Sequence, residues 1–328
     1  MATKDLVLAE LEKAMGGDVS GEELAAALGL SRAAVWKAIR ALREEGLPIQ
    51  AAPNRGYRLP AGSDVLSARG IAAWLGDPEA ARLIHVYPEL ESTNLTAKRL
   101  AAEGAPAGTA VLAERQTAGR GRRGRRFYSP PGGGVYLTVV LRPEQLTTAN
   151  AALITTAASV AVGRAVEEVT GCRPEIKWVN DLFFQGKKIC GILTEAVTDC
   201  ESGTIEHVVV GAGVNLYDFR ADCPPEVREV AGGLLEGPVP GITRNRLAAA
   251  MIRQMGCIGR WIAERSYLEE YRQRSMVLGR RVAVVRPDGR EEPARALGID
   301  DAGGLVVEKP DGTRETLRSG EISIRRLP

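Results

Sequence analysis

Cysteine and histidine are scarce in this chain, and their placement argues against two kinds of site. The 328 residues include five cysteines and two histidines. An odd number of cysteines with no C-x-x-C pair is typical of reduced thiols in a cytosolic protein rather than of a disulfide framework. His85 and His207 stand far apart in strand-like surroundings, which disfavours a structural zinc site.

Long apolar runs and a strong net charge are also absent. No stretch approaches the roughly 20 apolar residues of a bilayer span, and the first residues lack the apolar region of a signal peptide. We therefore expect a cytoplasmic protein with no membrane partner. The formal net charge is only +2, so any contact with nucleic acid must be local. A content of 45% hydrophobic and 26% charged residues is typical of a globular protein, here long enough for two or three domains.

The most informative segment is the arginine–glycine loop, which we define as Gly119–Arg125 with the sequence GRGRRGR. Glycine lets backbone N–H groups approach an anion closely, and arginine supplies a permanent, forked positive charge that fits phosphate or carboxylate. Four such charges repel one another until an anion neutralises them. We therefore expect a loop that binds an anionic ligand, mobile when empty and ordered when occupied.

The arginine–glycine loop has two other interpretations. Its glycines also fit the G-x-G-x-x-G spacing of a dinucleotide-binding fold, which requires a helix directly afterwards. The following Ser129-Pro130-Pro131-Gly132 segment is incompatible with such a helix. A solvated basic loop that binds nucleic acid stays open as an alternative.

Residues 1–62 are predicted to form a winged helix-turn-helix domain. Ser20 and Glu23 have the spacing of a capping box that starts a helix over residues 22–28, and Gly29 ends it. Ser31 then caps a third helix over residues 32–45, which follows this second helix and a first one over about residues 4–15. The short connection between these helices is typical of a helix-turn-helix, and a predicted hairpin over residues 49–59 forms the wing.

Charge is segregated within this domain. Residues 1–30 carry two bases and six acids, whereas residues 31–60 carry six bases and two acids. Val35, Ile39 and Leu42 share one face of the third helix and are predicted to be buried. We expect DNA contacts from Ser31, Arg32, Trp36, Lys37, Arg40, Arg43 and, in the wing, Arg55. An amphipathic helix with an ordinary solvated basic face is the alternative.

Residues 63–274 alternate between helical and strand-like stretches, which predicts a central α/β domain with a mixed sheet. Helices are expected over residues 67–75, 94–102, 150–170 and 244–264, and strands over residues 83–87, 109–114, 135–141, 175–179, 188–195 and 207–214. Residues 181–186 are predicted to be a hairpin turn. Residues 275–328 contain five short strand-like runs separated by tight turns, which favours a small SH3-like barrel. The fold class is thus α+β with three domains.

Polar clusters at strand ends add candidate site residues. Ser92-Thr93-Asn94 opens a helix, where capping is the simpler role. Gln116 precedes the arginine–glycine loop. Lys177–Asp181 ends one strand and Gly211–Asn215 ends another, and glycine there permits close approach of a ligand or side chain. Each cluster is weak evidence by itself.

Taken in order, these clusters resemble the biotin–protein ligases. The match rests on Ser92-Thr93-Asn94, on Gln116 through Arg125, on Ser129–Gly134, on Lys177–Asp181, on Lys188 through Leu193, and on Gly211–Asn215. With the amino-terminal domain, the chain is similar to the bifunctional members that also repress transcription. The resemblance implies a class II synthetase-like catalytic domain between a winged helix and an SH3-like barrel.

The resemblance also implies a reaction and its partners. Biotin and ATP would give biotinyl-5′-adenylate, and a lysine of the biotin carboxyl carrier protein of acetyl-CoA carboxylase would then accept the biotin. Mg²⁺ would assist, with no permanently bound cofactor. The adenylate-bound protein would form a homodimer on operator DNA.

Roles for individual residues follow from the same resemblance. Catalytic roles fall on Lys188, Arg122 and Arg120. Biotin contacts are implied for Ser92, Thr93, Asn94, Gln116, Arg120, Gly121, Arg122, Lys188, Gly191 and Gly211. Nucleotide contacts are implied for Arg123, Arg125, Phe127, Asn180, Asp181, Asn215 and Arg325. Asp181 is also the candidate Mg²⁺ ligand. Glu321 and Arg325 match a position that lies near the ATP site in the family.

One departure and two alternatives qualify the resemblance. Phe127 stands where many members have tryptophan, so adenine stacking has less area. Trp178 and Trp261 are expected in the core. A lipoate–protein ligase usually carries a histidine after the glycine run, and none follows Gly134 here. A transcription factor that merely senses biotin would not need Lys188 and four loop arginines.

Overall fold

The computed structural model describes residues 3–14, 16–44, 46–53, 55–60, 63–142, 151–198, 205–219, 223–286, 288–318 and 321–323. The amino-terminal part contains three helices and a two-stranded hairpin. These are α1 (Thr3–Lys13), α2 (Gly21–Leu28), α3 (Arg32–Glu44), β1 (Gln50–Ala52) and β2 (Gly56–Arg58). Strands β1 and β2 pair antiparallel as the predicted wing.

Local signals determine where the amino-terminal helices begin and end. The Ser20 hydroxyl accepts a hydrogen bond from the Glu23 amide at 3.0 Å, and the Glu23 carboxylate accepts one from the Ser20 amide at 2.7 Å. Gly29 ends α2 in the left-handed conformation, with φ at 63°, which glycine adopts at little cost. Val35, Ile39 and Leu42 are buried in a separate small core, as predicted.

The central part is a seven-stranded mixed sheet in the order β3-β4-β5-β9-β8-β7-β6. Its strands are β3 (Ile84–Leu90), β4 (Ala110–Gln116), β5 (Gly134–Leu141), β6 (Glu175–Lys177), β7 (Asp181–Phe184), β8 (Lys187–Thr198) and β9 (Ile205–Asn215). Its helices are α4 (Ala68–Leu75), α5 (Thr93–Ala102), α6 (Ala151–Thr170), α7 (Pro225–Val230), α8 (Arg244–Met255), α9 (Ile258–Glu264) and α10 (Leu268–Arg274), with 3-10 turns at Pro78–Leu83 and Arg122–Gly124.

The two faces of this sheet are covered unequally. Strand β3 pairs parallel with β4, and the other neighbours are antiparallel. The large core lies on one face and includes α4, α6 and α8. On the other face, Ala97 and Ala101 of α5 pack against three buried valines of the strands, Val111, Val140 and Val209. Alternate residues of β4, β5 and β9 therefore point to different cores.

Several central elements differ from the predictions. Residues 181–184 form a strand, and the hairpin turn shrinks to Gln185-Gly186 with both residues at positive φ. The predicted helix over residues 244–264 is two helices that divide at Gly256-Cys257. Helix α7 was not predicted because it is only six residues long, although Pro225 suits the first turn of a helix.

The carboxy-terminal part is a five-stranded antiparallel sheet in the order β13-β12-β11-β10-β14. The strands are β10 (Arg281–Val285), β11 (Glu291–Ile299), β12 (Leu305–Glu308), β13 (Arg314–Leu317) and β14 (Glu321–Ser323). The indole of Trp178 donates to the Gly303 carbonyl at 3.1 Å and so connects this sheet to the central part. Trp178 and Trp261 are both buried, as predicted. Among the described helices, none has the length and apolar character needed to span a bilayer.

Candidate functional site

The arginine–glycine loop lies beside strands β6–β8 of the central sheet. Together they border a cavity of about 180 Å³, which we call the basic cavity. Four loop arginines, Phe127, the ends of β6–β8 and one residue of the carboxy-terminal sheet form its walls. The lining residues used below are Arg120, Arg122, Arg123, Arg125, Phe127, Asn180, Asp181 and Lys188. The loop is therefore neither buried nor remote from a cavity.

The backbone of the arginine–glycine loop folds back on itself. The Gly121 amide donates to the Arg125 carbonyl at 2.7 Å, and the Phe127 amide donates to the Gly119 carbonyl at 2.8 Å. A side chain at Gly119 would place its Cβ 2.4 Å from the Phe127 carbonyl oxygen. Arg123 adopts a φ of 55°, which is uncommon for a residue other than glycine. The fold of the loop thus depends on where its glycines stand.

Two loop arginines contact neighbouring polar side chains. Arg122 donates to the Asn180 side-chain oxygen at 3.3 Å, and Arg120 lies 3.7 Å from Glu91 at the exposed rim. Because four guanidinium groups of the loop and the ammonium group of Lys188 line the basic cavity, the cavity favours an anionic ligand.

Lys188 and Asp181 face each other in the basic cavity, with 2.7 Å between ammonium and carboxylate. They stand on neighbouring antiparallel strands, β8 and β7. An anionic substrate that reaches Lys188 must therefore compete with Asp181 for the ammonium group. Asn180 is held by a 2.8 Å hydrogen bond from its amide to the Ile192 carbonyl, which directs its oxygen towards Arg122.

Phe127 separates the basic cavity from a second, smaller one of about 20 Å³, which we call the inner cavity. The Phe127 ring lies against the backbone of β9 at Gly213 and of β8 at Gly191. A Cβ atom added at Gly213 would lie 2.3 Å from the nearest ring carbon, and one added at Gly191 would lie 3.1 Å from it. Tyr136 meets the ring edge-on at 6.4 Å between centroids. The absence of a side chain at both glycines therefore makes room for the ring, and each glycine stands in a motif that the sequence indicated.

The inner cavity is lined by the motif residues nearest the start of α5. They are Ser92, Thr93, Asn94, Gln116 and Gly211, together with Arg120 and Phe127 from the loop side. The Gln116 side-chain oxygen accepts from the Thr93 amide at 2.9 Å, and its nitrogen donates to Ser129 at 2.9 Å. The Ser129 hydroxyl donates to the Phe127 carbonyl at 3.2 Å. A chain of hydrogen bonds therefore joins the inner cavity to the end of the loop.

Asn94 makes a full set of contacts within the protein. Its amide donates to Glu195 at 2.9 Å and to the Leu193 carbonyl at 3.3 Å, and its oxygen accepts from Thr138 at 2.7 Å. Burial alone would raise the pKa of Glu195, but hydrogen bonds from Asn94 and Lys98 lower it below its usual value. Glu195 is therefore an ionised anchor for Asn94.

One predicted site residue lies elsewhere, and two others fall outside what the structure describes. Asn215 lines neither cavity, because its amide donates to the Gly232 carbonyl at 3.2 Å in the core. Arg325 lies outside the described residues, and so does the side chain of Glu321. The motifs missed Thr138 and Glu195, since neither belongs to a local pattern, and they contained Ser129 only as the start of the Ser129–Gly134 segment.

The exposed face of α3 carries most of the predicted DNA contacts. Arg32, Trp36, Lys37 and Arg40 are exposed, and Trp36 keeps 56% of its surface accessible. Ser31 instead accepts a hydrogen bond from the Ala34 amide at 3.2 Å and so caps the helix.

Two further candidates have partners within the domain. Arg43 donates to the Ile49 carbonyl at 2.8 Å, which connects α3 to the wing. Arg55 pairs with Asp18 at 3.2 Å.

Comparisons with known proteins agree with this arrangement. Residues 86–215 match the biotin/lipoate A/B protein ligase family, residues 4–58 match an HTH domain, and residues 277–325 match the biotin protein ligase C-terminal domain. The chain is 34% identical to the bifunctional ligase/repressor BirA of Bacillus subtilis over 98% of both chains. It is also 34% identical to BirA of Escherichia coli K12, over 93% of this chain and 92% of that one.

A solved structure supports the same assignment. Biotin protein ligase from Aquifex aeolicus in complex with biotin and ATP superposes with a TM-score of 0.62 at 25% identity, covering 74% of this chain and 99% of that chain. The fold and site thus define a ligase joined to a helix-turn-helix domain. The chain belongs to the biotin–protein ligases, among the bifunctional ligase/repressors. The predicted family and fold class are confirmed.

Proposed function

We propose that this protein is an ATP-dependent biotin–protein ligase that also represses transcription in response to biotin. The observation that carries the proposal is the adjacency of two cavities, one basic and one small and polar, on either side of Phe127. An acid seated in the inner cavity would present its carboxylate to Lys188 and Arg120. A nucleotide in the basic cavity would present its phosphates to the remaining loop arginines.

The first step joins the two substrates. A carboxylate oxygen of biotin attacks the α-phosphorus of ATP, pyrophosphate leaves, and biotinyl-5′-adenylate forms. Proximity and neutralisation of developing charge supply the catalysis, so no protein nucleophile is required. We assign the catalytic roles to Lys188, Arg122 and Arg120, because all three line the basic cavity and Arg120 also lines the inner cavity.

Substrate contacts divide between the two cavities. We assign biotin to the inner cavity, with contacts from Ser92, Thr93 and Gln116, while Asn94 and Gly211 shape its floor. We assign the nucleotide to the basic cavity, with Arg123, Arg125, Phe127, Asn180 and Asp181 around it.

Mg²⁺ would be held by Asp181 with phosphate oxygens of ATP. Magnesium in nucleotide sites commonly uses only one or two carboxylates in addition to phosphates. Asp181 suits such a site because it lines the basic cavity. The bound ion would offset negative charge on the phosphates.

The second step transfers biotin to protein. The ε-amine of a lysine on biotin carboxyl carrier protein attacks the carbonyl carbon of the adenylate and loses a proton, and AMP leaves. The test is to incubate the protein and ATP with the carrier domain and either biotin or lipoate, and then to weigh the carrier. We expect addition of biotin only. Addition of lipoate, or an unmodified carrier, contradicts the proposal.

The loop should also retain the reactive adenylate. Arg122→Gly removes the arginine that contacts Asn180, and we expect it to release biotinyl-5′-adenylate into solution. Single-turnover quench with separation of bound and free adenylate measures this. Arg290→Gly, in a turn of the carboxy-terminal sheet, is the matched control and should retain adenylate. Equal retention by all three proteins contradicts the role of Arg122.

Repression would follow from dimerisation of the adenylate-bound form. Two winged helices related by a twofold axis match a palindromic operator, and the exposed basic face of α3 supports contact with DNA. Biotin plus ATP should therefore tighten operator binding and shift the protein to a dimer in sedimentation analysis at fixed salt. An operator affinity that stays the same with and without biotin and ATP contradicts this part of the proposal.

A further inference from the structure

Thr138 is buried in the middle of β5 and lines neither cavity, yet it contacts two of the residues at the start of α5. Its side chain is fully inaccessible. Its hydroxyl oxygen lies 2.8 Å from the Thr93 hydroxyl and 2.7 Å from the Asn94 side-chain oxygen. No motif in the sequence singles it out.

The contacts of Asn94 determine which way these hydrogen bonds run. The Asn94 amide nitrogen faces Glu195 and the Leu193 carbonyl, both acceptors, so its oxygen must face Thr138. A side-chain amide oxygen can only accept. The single hydrogen of the Thr138 hydroxyl is therefore committed to Asn94.

The direction of this bond constrains Thr93 in turn. Because Thr138 gives its hydrogen to Asn94, the 2.8 Å contact between the two threonine hydroxyls is a hydrogen bond only when Thr93 donates to Thr138, and not to the Gln116 oxygen at 3.2 Å. The two lone pairs of the Thr93 hydroxyl are left to accept from a donor in the inner cavity. Thr138 thus sets both the rotamer and the hydrogen-bonding sense of Thr93.

Strand pairing supplies the room for this arrangement. Thr138 lies directly opposite Gly211 of β9, and a Cβ at Gly211 would come within 1.9 Å of the Asn94 oxygen. Thr138 therefore donates its hydroxyl hydrogen to the Asn94 side-chain amide, and Gly211 leaves room for that amide. Valine at position 138 would fill the same volume but leave the Asn94 oxygen buried without a donor.

We propose that Thr138 is a positioning residue for ligation, whose hydroxyl orients Thr93 and Asn94 at the inner cavity and thereby sets the affinity for the acid substrate. This inference rests on the proposed ligase function. It names a residue that acts through its neighbours and does not touch substrate.

The test compares Thr138→Val, Thr138→Ser and wild type in carrier biotinylation, with biotin and ATP varied separately. Loss of a donor to a buried acceptor corresponds to roughly a ten- to hundredfold effect, so the KM for biotin should rise by that factor in Thr138→Val. The KM for ATP and kcat should change by no more than about twofold. Thr138→Ser restores the hydroxyl and should return the KM for biotin to within about threefold of wild type.

A matched variant separates positioning from general damage. Thr155→Val removes the hydroxyl from another threonine pair of the same part of the molecule, 3.1 Å from Thr194, and should leave the KM for biotin unchanged. A wild-type KM for biotin in Thr138→Val, an equal rise for ATP, or no rescue by serine overturns the inference. In those cases a wild type that biotinylates carrier still supports the proposed function, whereas an inactive wild type overturns both.

Discussion

Two glycines of β9, Gly211 and Gly213, show how the absence of a side chain shapes the site. They stand two residues apart and point to the same face of the sheet. Gly211 leaves space for the Asn94 amide, and Gly213 leaves space for the Phe127 ring. Strand β9 therefore lacks side chains at the two positions where Asn94 and Phe127, which line the inner cavity, pack against it.

Gly211→Ala should destabilise the protein. The added Cβ would meet the Asn94 oxygen at 1.9 Å, and Asn94 cannot move without breaking its bonds to Glu195 and Thr138. Overpacking of this kind costs about 1–3 kcal/mol. Gly259→Ala, in α9 with no atom within 4 Å of the new Cβ, is the matched control and should gain about 0.5–1 kcal/mol. Urea unfolding measures both, and equal stability of the two variants would show that Asn94 yields easily.

At the scale of elements, Asp18 contacts the arginines of the wing, although the charge pattern of the sequence did not predict this contact. Asp18 precedes α2, lies 3.2 Å from Arg55 and 3.9 Å from Arg58, and keeps only 17% of its side chain exposed. Arg58 also donates to Gln50 at 2.9 Å. The wing arginine predicted to reach phosphate is thus neutralised in part by its own domain.

Asp18→Asn should strengthen binding to non-specific duplex DNA. Releasing Arg55 adds about one phosphate contact, which makes the slope of log K against log salt steeper by roughly 1. Glu22→Gln removes the same charge from an exposed position on α2, so any difference between the variants reports the contact rather than the net charge. Weaker binding by Asp18→Asn would mean instead that Asp18 holds the wing in its DNA-binding position.

Elements with local signals could be predicted from the sequence, and contacts between distant elements could not. Ser20, Glu23 and Gly29 mark their helix to within a residue. Strand β7 was missed because four residues between two turns carry too little periodicity to distinguish a strand from a hairpin.

The candidate site divides in the same way. Lys188 and Asp181 were predicted because they stand in motifs that resemble those of the biotin–protein ligases. Thr138 and Glu195 were not, because they become part of the site only through the register of β5 and β8.

At the scale of the whole molecule, the start of α8 connects the DNA-binding part to the catalytic part. Asn245 donates to Glu12 of α1 at 2.8 Å and to the Val65 carbonyl at 2.9 Å. Its neighbour Arg244 is buried and pairs with both Asp64 and Glu114. Glu114 lies two residues before Gln116, so the connection between the parts reaches the strand that lines the inner cavity.

Glu12 makes this connection sensitive to pH. Burial raises the pKa of its carboxyl to about 7, the hydrogen bonds from Asn245 and Trp74 act in the opposite direction, and the nearby Asp64 raises it further. The folded protein therefore holds a proton that the unfolded chain releases near its usual pKa of 4.5. Stability contributed by this group is complete below that value and is lost as pH rises through about 7.

Glu12→Gln should remove this pH dependence, because glutamine resembles the protonated carboxyl and does not titrate. From pH 5 to 8 the melting temperature of wild type should fall by a few degrees relative to the variant, and the two should converge at the acid end. Glu22→Gln, at an exposed position, should follow wild type throughout. Differential scanning calorimetry across this range provides the measurement. Parallel curves for wild type and Glu12→Gln would mean that the carboxyl at the junction is already ionised in the folded protein, and that Asn245 holds α1 equally well in either charge state.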